Sequence, residues 1–379
     1  MNKEKIKLTT LKWFSRKIYG FNDNGGLILI EDEGLDPKRN DIIKNYSGGI
    51  NINKIHGSVK ALRKCHYKVL DNVVGGDAPK DFISICEYVG NKKSRRRVCN
   101  NYITKVGHKW YPLESVSEYL LNQIGEVLSL EMADSQLRMG HGQLRFLSKY
   151  FLNSDENLIH GAQIYSAYLN EVDQRFVEEI ERENWARTLL TFQVTRNAIE
   201  FLFPQQFDSI VKSLVRMLLF DAITGNNDRH FYNWGVITHI EGDSVPRFSP
   251  IYDSARGLFW NTNERSVEKR FLLKRRTGTA INQANMDKYI FSSRPKIGWE
   301  GWNSEEEINH FQLIENIYSS FPEYRDICGE LLNPIYLQRM LDLVTADFTT
   351  FYTKNRLLLI QECLKRRFQL LTEAIKNQK

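Results

Sequence analysis

The segment 225–236 reads Gly-Asn-Asn-Asp-Arg-His-Phe-Tyr-Asn-Trp-Gly-Val, and residues 249–253 after it read Ser-Pro-Ile-Tyr-Asp. Together they supply Asp228, Asn233 and Asp253 in the order that phosphoryl transfer from Mg·ATP requires. In a loop with Asp-x-x-x-x-Asn spacing, the Asp orients the attacking hydroxyl and accepts its proton, and the Asn binds Mg²⁺, while a later Asp bridges Mg²⁺ to the phosphates. The spacing predicts Asp228 as the catalytic carboxylate, and Asn233 and Asp253 as metal ligands. Turn formation or helix capping is the alternative for any one of them alone.

The residues around this loop predict a helix before it and a hairpin after it. Apolar side chains recur at three- and four-residue steps from Ile210 to Ile223, which indicates a buried or amphipathic helix that Gly225 ends. Residues 234–238 and 247–248 predict a short hairpin around a turn at 241–243, which carries the chain on to Asp253.

The order Gly-Asn-x-Asp-x-His-x-x-Asn followed by Pro-x-Tyr-Asp is similar to the catalytic core of HipA-type serine/threonine kinases, which are bacterial toxin-like enzymes. Asp-Arg-His-x-x-Asn also resembles the catalytic loop of phosphoinositide 3- and 4-kinases, distant relatives of the same fold. The resemblance implies an α+β, bilobal protein-kinase-like fold with a small β-rich N-lobe and a mostly helical C-lobe. It also implies ATP and Mg²⁺ as cofactors.

Such a kinase needs a phosphate-covering glycine loop and a strand lysine ahead of the catalytic loop. Residues 73–80, Val-Val-Gly-Gly-Asp-Ala-Pro-Lys, resemble that loop, so the resemblance assigns Gly75, Gly76 and Lys80 to the phosphates. Glycines let backbone N–H groups approach phosphate oxygens. Two strands joined by a basic loop are predicted next, over 82–89 and 98–106, and Lys105 matches the strand lysine that contacts the phosphates.

A helix glutamate and a hinge strand complete the set that the resemblance implies. The apolar pattern from Leu113 to Leu130 predicts an amphipathic helix, and Glu118 lies where the family places the partner of the strand lysine, with Glu114 and Glu126 as alternatives. Residues 143–151 are similar to the strand that leads into the hinge, where backbone groups meet adenine, and this assigns Ser148 and Phe151 to the nucleotide.

Two departures from the family pattern concern residues near the phosphates. Family members often carry an autophosphorylated Ser in the glycine loop, but no Ser or Thr lies between Lys60 and Ile83. Many have a Lys just before the metal Asn, where this chain has Tyr232. His230 is interpreted as a structural residue that holds the loop, with a general base as the alternative.

These motifs divide the chain into three regions. Residues 1–70 form an N-terminal extension or a cap of the small lobe, 71–150 the kinase N-lobe and 151–379 the helical C-lobe. Apolar repeats after residue 305, and again from Leu357 to Ile375, predict the helices of this last region.

Composition favours a cytoplasmic enzyme. We find no run of about 18 apolar residues and no signal-peptide core after Met1, although delivery as a secreted effector stays an alternative. The chain has five cysteines, scattered and without Cys-x-x-Cys spacing, which predicts reduced thiols rather than disulfides or a zinc site.

Two basic clusters, 92–97 and 269–276, stand out against a modest net charge of +6. They predict contact with an acidic protein substrate or with RNA, and a solvated loop is the alternative for each. The resemblance further implies a protein substrate, translation-related in such toxin-like kinases, and an antitoxin or regulatory partner. Two other functions share these motifs: phosphoinositide or small-molecule kinase activity, and a nucleotide-dependent binding module of a toxin-antitoxin system.

Overall fold

The structure, a computed structural model, describes residues 8, 18–21, 27–30, 58–71, 80–90, 95–107, 111–171, 176–183, 185–276, 278–303 and 306–376. Residues 72–79, including Gly75 and Gly76 of the predicted glycine loop, lie outside the described residues, as do residues 92–94 of the first basic cluster.

The strands are β1 Ile18–Phe21, β2 Leu27–Ile30, β3 Tyr67–Val69, β4 Lys80–Val89, β5 Arg96–Lys105, β6 Ser135–Gly140, β7 Gln143–Lys149, β8 Glu156–His160, β9 Gly235–His239, β10 Arg247–Phe248, β11 Leu272–Arg275 and β12 Gly278–Ile281. The α-helices are α1 Leu113–Val127, α2 Gly161–Tyr168, α3 Phe176–Arg182, α4 Ala186–Leu189, α5 Phe192–Leu202, α6 Phe207–Thr224, α7 Glu264–Ser266, α8 Gln283–Phe291, α9 His310–Ser320, α10 Arg325–Leu331, α11 Pro334–Asp347 and α12 Lys354–Lys376. Two further helical segments are a π-helix over Val267–Phe271 and a 3₁₀-helix over Pro322–Tyr324.

An antiparallel sheet forms the N-terminal lobe, with the order β3-β4-β5-β7-β6 among the described strands. Residues 143–147 of its strand β7 are buried on both faces, and they include the polar Gln143 and Arg145 beside the apolar Leu144, Phe146 and Leu147. Leu144 and Phe146 belong to the main core on the side where α1 contacts the sheet, and Leu147 packs with Leu8 and Ile83 in a smaller cluster. The predicted pair of strands joined by a basic loop is confirmed as β4 and β5.

The C-terminal lobe is helical and is built around α6, which contacts α5, α9, α10 and α12. Residues 217–224 of α6 are buried all round, whereas its first half exposes Asp208 and Ser209, so the predicted buried or amphipathic helix is confirmed. One continuous cluster of buried apolar side chains runs from α1 and β7 to these helices. The predicted hairpin is also confirmed, because β9 and β10 pair antiparallel with Arg247 opposite Ile237.

The structure contradicts the prediction that all five cysteines are reduced. Cys86 and Cys99 are joined by a disulfide, because the register of β4 and β5 places them directly opposite each other, with their Cα atoms 4.0 Å apart. This pairing depends on strand register, which cysteine spacing alone does not give. Among the described residues no helix is long and apolar enough to cross a bilayer.

The three remaining thiols should differ sharply in reactivity. Cys65 is exposed, whereas burial raises the pKa of the Cys328 and Cys363 thiols to about 12. At pH 8 a thiol with that pKa is a thiolate in roughly one molecule in ten thousand, and only the thiolate attacks. Without reductant, a maleimide should therefore label one cysteine per folded chain, three after unfolding and five after reduction. Rapid labelling of Cys328 or Cys363 in the folded protein would contradict this packing.

Candidate active site

The loop after α6 begins at a left-handed residue. Gly225 has φ 68° and ends the helix, and a Cβ atom there would lie 3.0 Å from the Arg367 guanidinium. Only glycine adopts this conformation without strain. Arg367, buried on α12, donates from Nε to the Ala222 carbonyl at 2.7 Å, so the C-terminal helix supports the end of α6 where the loop starts.

Arg229 holds this loop in place from inside. Its side chain is buried and donates from Nε and Nη2 to the two carboxylate oxygens of Asp221, at 3.0 Å each. It also donates to the Asn233 carbonyl at 3.1 Å, to the Tyr252 carbonyl at 2.6 Å and to the Ser254 hydroxyl at 2.6 Å. Arg229 thus ties α6, the loop and the Asp253 segment together. A buried ion pair with this many hydrogen bonds is costly to break from one side.

Asp228 and Asn233 are fixed relative to each other by the loop itself. The Asn233 amide nitrogen Nδ2 donates to the Asp228 carbonyl at 3.0 Å, which leaves its Oδ1 oxygen as the acceptor. The Asp228 backbone N–H donates to Asn226 Oδ1 at 3.4 Å. The Asp228 carboxylate forms an ion pair with Arg256, with Oδ2 3.0 Å from Nε.

Lys105, at the end of β5, joins the two lobes at the cleft between them. Its Nζ lies 2.7 Å from Glu118 Oε1 on α1 and 2.7 Å from Asp253 Oδ1. Lys80, at the start of β4, places its Nζ 3.7 Å from the other Asp253 oxygen. Of the three glutamates considered on α1, the structure pairs Glu118 with Lys105. Two lysines and two carboxylates therefore meet at one point.

Backbone hydrogen bonds set the position of Asp253. Ile251 donates its N–H to Glu131 O at 2.8 Å and accepts from Ala133 N at 3.0 Å, which anchors the strand-like segment to the chain just after α1. Two residues later, Asp253 has φ 51°, in the left-handed region that non-glycine residues rarely adopt. Such conformations persist where the surroundings hold them, and they cluster at functional sites.

The pKa of Asp253 is lowered and the pKa of Lys105 is raised, in each case because the opposite charge nearby outweighs burial. Burial raises the pKa of the Asp253 carboxyl, but the nearby Lys105 and Lys80 charges outweigh burial and hold that pKa well below its usual range. Burial lowers the pKa of Lys105, but the Asp253 and Glu118 carboxylates outweigh it and raise that pKa above the ordinary lysine value. Lys105 is therefore a cation and Asp253 an anion at neutral pH.

The two residues assigned to the hinge occupy different places. Ser148, on β7, lines a cavity together with Glu118, Phe146 and Asp253. Phe151 lies beyond the strand, and its ring centroid is 5.5 Å from that of Tyr252. The structure thus brings Ser148 to the cleft and packs Phe151 against the residue that precedes Asp253.

His230 belongs to the loop's internal hydrogen bonding. Its Nδ1 accepts the Tyr232 backbone N–H at 3.3 Å, and its own backbone N–H donates to the Asp228 carbonyl at 2.8 Å. Burial lowers the pKa of its imidazole. These contacts match the interpretation of His230 as a residue that holds the loop.

Two arginines of the site had no role in the sequence-based assignment. Arg229 stands inside the motif itself, but nothing in the spacing shows that its side chain points inward to Asp221. Arg256 follows Asp253 by three residues, and its contact with Asp228 requires the chain to return to the loop. The sequence feature that could have identified the partner of Arg229 is Asp221, an acidic residue on the apolar helix α6 a few residues before Asp228 and Arg229.

Comparison with known proteins agrees with this geometry. The family model for the HipA-like C-terminal domain matches residues 73–314, more than half of the chain. The crystal structure of the Helicobacter pylori proinflammatory kinase CtkA superposes with a TM-score of 0.62 and 15% identity, over 84% of this chain and 99% of that chain. HipA of Shewanella oneidensis MR-1, solved in a toxin-antitoxin complex with HipB and operator DNA, superposes with a TM-score of 0.42 and 11% identity. This match covers 92% of this chain and 75% of that chain. A search of curated proteins gave no significant match. The fold is therefore kinase-like, and the chain belongs to the HipA-like C-terminal domain family.

Proposed function

We propose that this protein is a HipA-type serine/threonine kinase that transfers the γ-phosphate of Mg·ATP to a protein hydroxyl. One observation carries the proposal: Lys105 is held between Glu118 and Asp253, in the pairing that positions a kinase lysine against the phosphates. Asp228 and Asn233 lie on the adjacent loop at the spacing that hydroxyl activation and metal binding require. Family membership and the kinase-like fold support the same reading.

In this proposal Asp228 is the general base. Its Oδ1 oxygen makes no hydrogen bond among the described residues, whereas Oδ2 is paired with Arg256. Oδ1 accepts the proton of the substrate hydroxyl as the hydroxyl oxygen forms its bond to the γ-phosphorus. The bond from that phosphorus to the β,γ-bridging oxygen breaks, and its electron pair leaves with ADP.

The residues of the cleft fit a magnesium nucleotide. Carboxylate and amide oxygens are the ligands that Mg²⁺ prefers, and Asn233 Oδ1 and Asp253 supply them. Bound Mg²⁺ would neutralise charge on the transferring phosphoryl group. Lys105 and Lys80 present two cations beside Asp253, and these would bind the phosphate oxygens.

Thermal denaturation tests nucleotide binding directly. We expect ATP with Mg²⁺ to raise the Tm, because a ligand that binds only the folded state stabilises it by about 2.7 kcal/mol at a hundred times its Kd. ATP with excess EDTA should give a much smaller shift, since Asp253 then repels the phosphates without a metal between them. No shift at millimolar Mg·ATP would contradict the proposed function.

The second basic cluster is proposed as part of the substrate site. Lys274 and Arg275 end β11 and Arg276 follows in the turn to β12; all three are exposed, and none is paired with a carboxylate among the described residues. We expect the triple Ala variant to raise the KM of an acidic protein substrate about tenfold and to leave the Kd of Mg·ATP unchanged. The salt dependence of KM should also weaken, because exposed charges are screened over about 10 Å at 0.1 M.

The matched control changes the same number of charges elsewhere. Arg95 precedes β5 and Arg96 and Arg97 begin it, and all three are exposed. We take this first basic cluster as the solvated-loop alternative, so the triple Ala variant of these residues should keep the wild-type KM and its salt dependence. Equal behaviour of the two triple variants would show that residues 274–276 are only a solvated turn. Competition by RNA, but not by an acidic protein, would assign the cluster to RNA instead.

A further inference from the structure

The loop 225–233 offers no side-chain cation to the cleft, because its Arg229 is buried against Asp221. Tyr232 stands where related kinases often carry a Lys, and its ring packs against His160 and His230, with centroids 5.7 and 6.3 Å away. Lys80 and Lys105 both face the Asp253 carboxylate. In the transition state of transfer, negative charge is spread over the three equatorial oxygens of the phosphoryl group. Positive charge is therefore needed on the side of the base, Asp228, as well.

Arg256 supplies a cation on that side. Its Nε lies 3.0 Å from Asp228 Oδ2, and its two terminal nitrogens, Nη1 and Nη2, donate no hydrogen bond to any of the described residues. A guanidinium carries five N–H donors in a fixed planar fork, and this geometry matches phosphate oxygens. The side chain is 37% exposed, so part of it is accessible to a ligand beside Asp228.

The position of Arg256 is set by the same contacts that build the site. Its carbonyl accepts the Asn227 N–H at 3.4 Å, and Leu258 donates its N–H to the Thr224 carbonyl at 3.2 Å. Between them, a Cβ atom on Gly257 would lie 2.7 Å from the Thr224 carbonyl, so the backbones approach as closely as glycine allows. The guanidinium also lies 5.3 Å from the centroid of the Trp260 ring, which holds it by a cation–π contact.

We propose that Arg256 is a catalytic residue, which binds the γ-phosphoryl group through Nη1 and Nη2 during transfer while Nε keeps Asp228 oriented. The inference rests on the proposed kinase function. The arginine adds no bond-making step: the proton still goes to Asp228 Oδ1 and the leaving electron pair to ADP. Its contribution is electrostatic, because its donors meet the equatorial oxygens only as charge spreads over them. The arginine thus replaces the missing loop lysine.

The test compares Arg256→Gln and Arg256→Lys with wild type and with Arg339→Gln, a control at an exposed arginine on α11. We expect Arg256→Gln to lower kcat about a thousandfold, the scale of removing an arginine finger, with a Kd for Mg·ATP within about threefold of wild type. Arg256→Lys should retain part of the activity, because it keeps the charge and loses the fork. Circular dichroism and the Tm of each variant show whether it is folded.

A second arm separates phosphoryl contact from positioning of Asp228. Fluoroaluminate bound with Mg·ADP imitates the phosphoryl group in transit, so it should tighten nucleotide binding in wild type and in Arg339→Gln but not in Arg256→Gln. A normal kcat in Arg256→Gln would overturn the inference, and so would a lost kcat with unchanged tightening by fluoroaluminate. If wild type itself transfers no phosphate, the proposed function fails, and the inference fails with it.

Discussion

Replacing Asp228 with Asn should lower kcat about a thousandfold and leave the Kd of Mg·ATP nearly unchanged. A neutral amide at this position could neither accept the hydroxyl proton nor hold the hydroxyl as an anion does, and these effects together account for that loss, or about 4 kcal/mol. In the proposed site other residues make the nucleotide contacts, and the loop is held by Arg229 and by backbone hydrogen bonds that the substitution does not disturb. Single-turnover kinetics and calorimetric titration measure the two quantities separately.

Asp243→Asn is the matched control, since Asp243 is exposed on the turn between β9 and β10. It should behave as wild type in both measurements. A toxin-like action, which the resemblance to HipA-type kinases implies, predicts the same contrast in cells. Expression of wild type or of Asp243→Asn should slow growth of a bacterial host, and Asp228→Asn should not. If the Asp228→Asn protein inhibits growth as strongly as wild type, inhibition does not come from phosphoryl transfer.

Asp253→Asn should instead weaken both nucleotide binding and turnover. We expect the Kd of Mg·ATP to rise at least tenfold and kcat to fall about a thousandfold, because a neutral amide binds Mg²⁺ less well than a carboxylate. Lys105 would keep Glu118 as its partner at 2.7 Å, so the lysine would stay in the cleft. Equal Kd values for Mg·ATP in the Asp228→Asn and Asp253→Asn proteins would show that the two roles are wrongly assigned.

The same substitution has a consequence for stability that depends on pH. The folded-state pKa of Asp253 lies below its unfolded value, which is about 3.9, so the ionised carboxylate stabilises the fold above that pH. The stabilisation is lost as the pH falls through the folded-state pKa. Urea unfolding should therefore show a lower free energy of unfolding for Asp253→Asn at pH 7, and a difference that shrinks below about pH 4. A difference that grows on acidification would contradict the Lys105–Asp253 pair.

The local features of the site could be predicted from the sequence because they have local causes. The apolar repeat before Gly225 predicts α6, and Gly225 itself predicts the left-handed end of that helix. Strand patterns predicted β4 and β5, whereas the resemblance to HipA-type kinases implied the pair of Lys105 and Glu118, with Glu114 and Glu126 as alternatives, and the structure places Glu118 in contact with Lys105. Local periodicity and turn chemistry are sufficient for such elements.

The remaining features depend on contacts between different elements of the fold. The burial of Arg229 against Asp221, the approach of Arg256 to Asp228 and the pairing of Cys86 with Cys99 all require knowledge of how the chain returns on itself. A cysteine count cannot show strand register, so the thiol prediction was wrong for two of the five residues. The assignments of Gly75 and Gly76 fall on residues that the structure does not describe and stay predictions.

The transfer of radioactive phosphate from γ-labelled ATP tests the central claim most directly. Purified protein would be incubated with Mg²⁺ and casein, an acidic protein acceptor, in parallel with phosphatidylinositol vesicles, and the labelled product would be hydrolysed for phosphoamino acid analysis. We predict Mg²⁺-dependent label on serine or threonine of the casein or of the protein itself, none on the lipid, and loss of the label in the Asp228→Asn protein. Label on the lipid alone, or no transfer by a wild-type protein whose Tm rises with Mg·ATP, would contradict the assignment as a serine/threonine protein kinase.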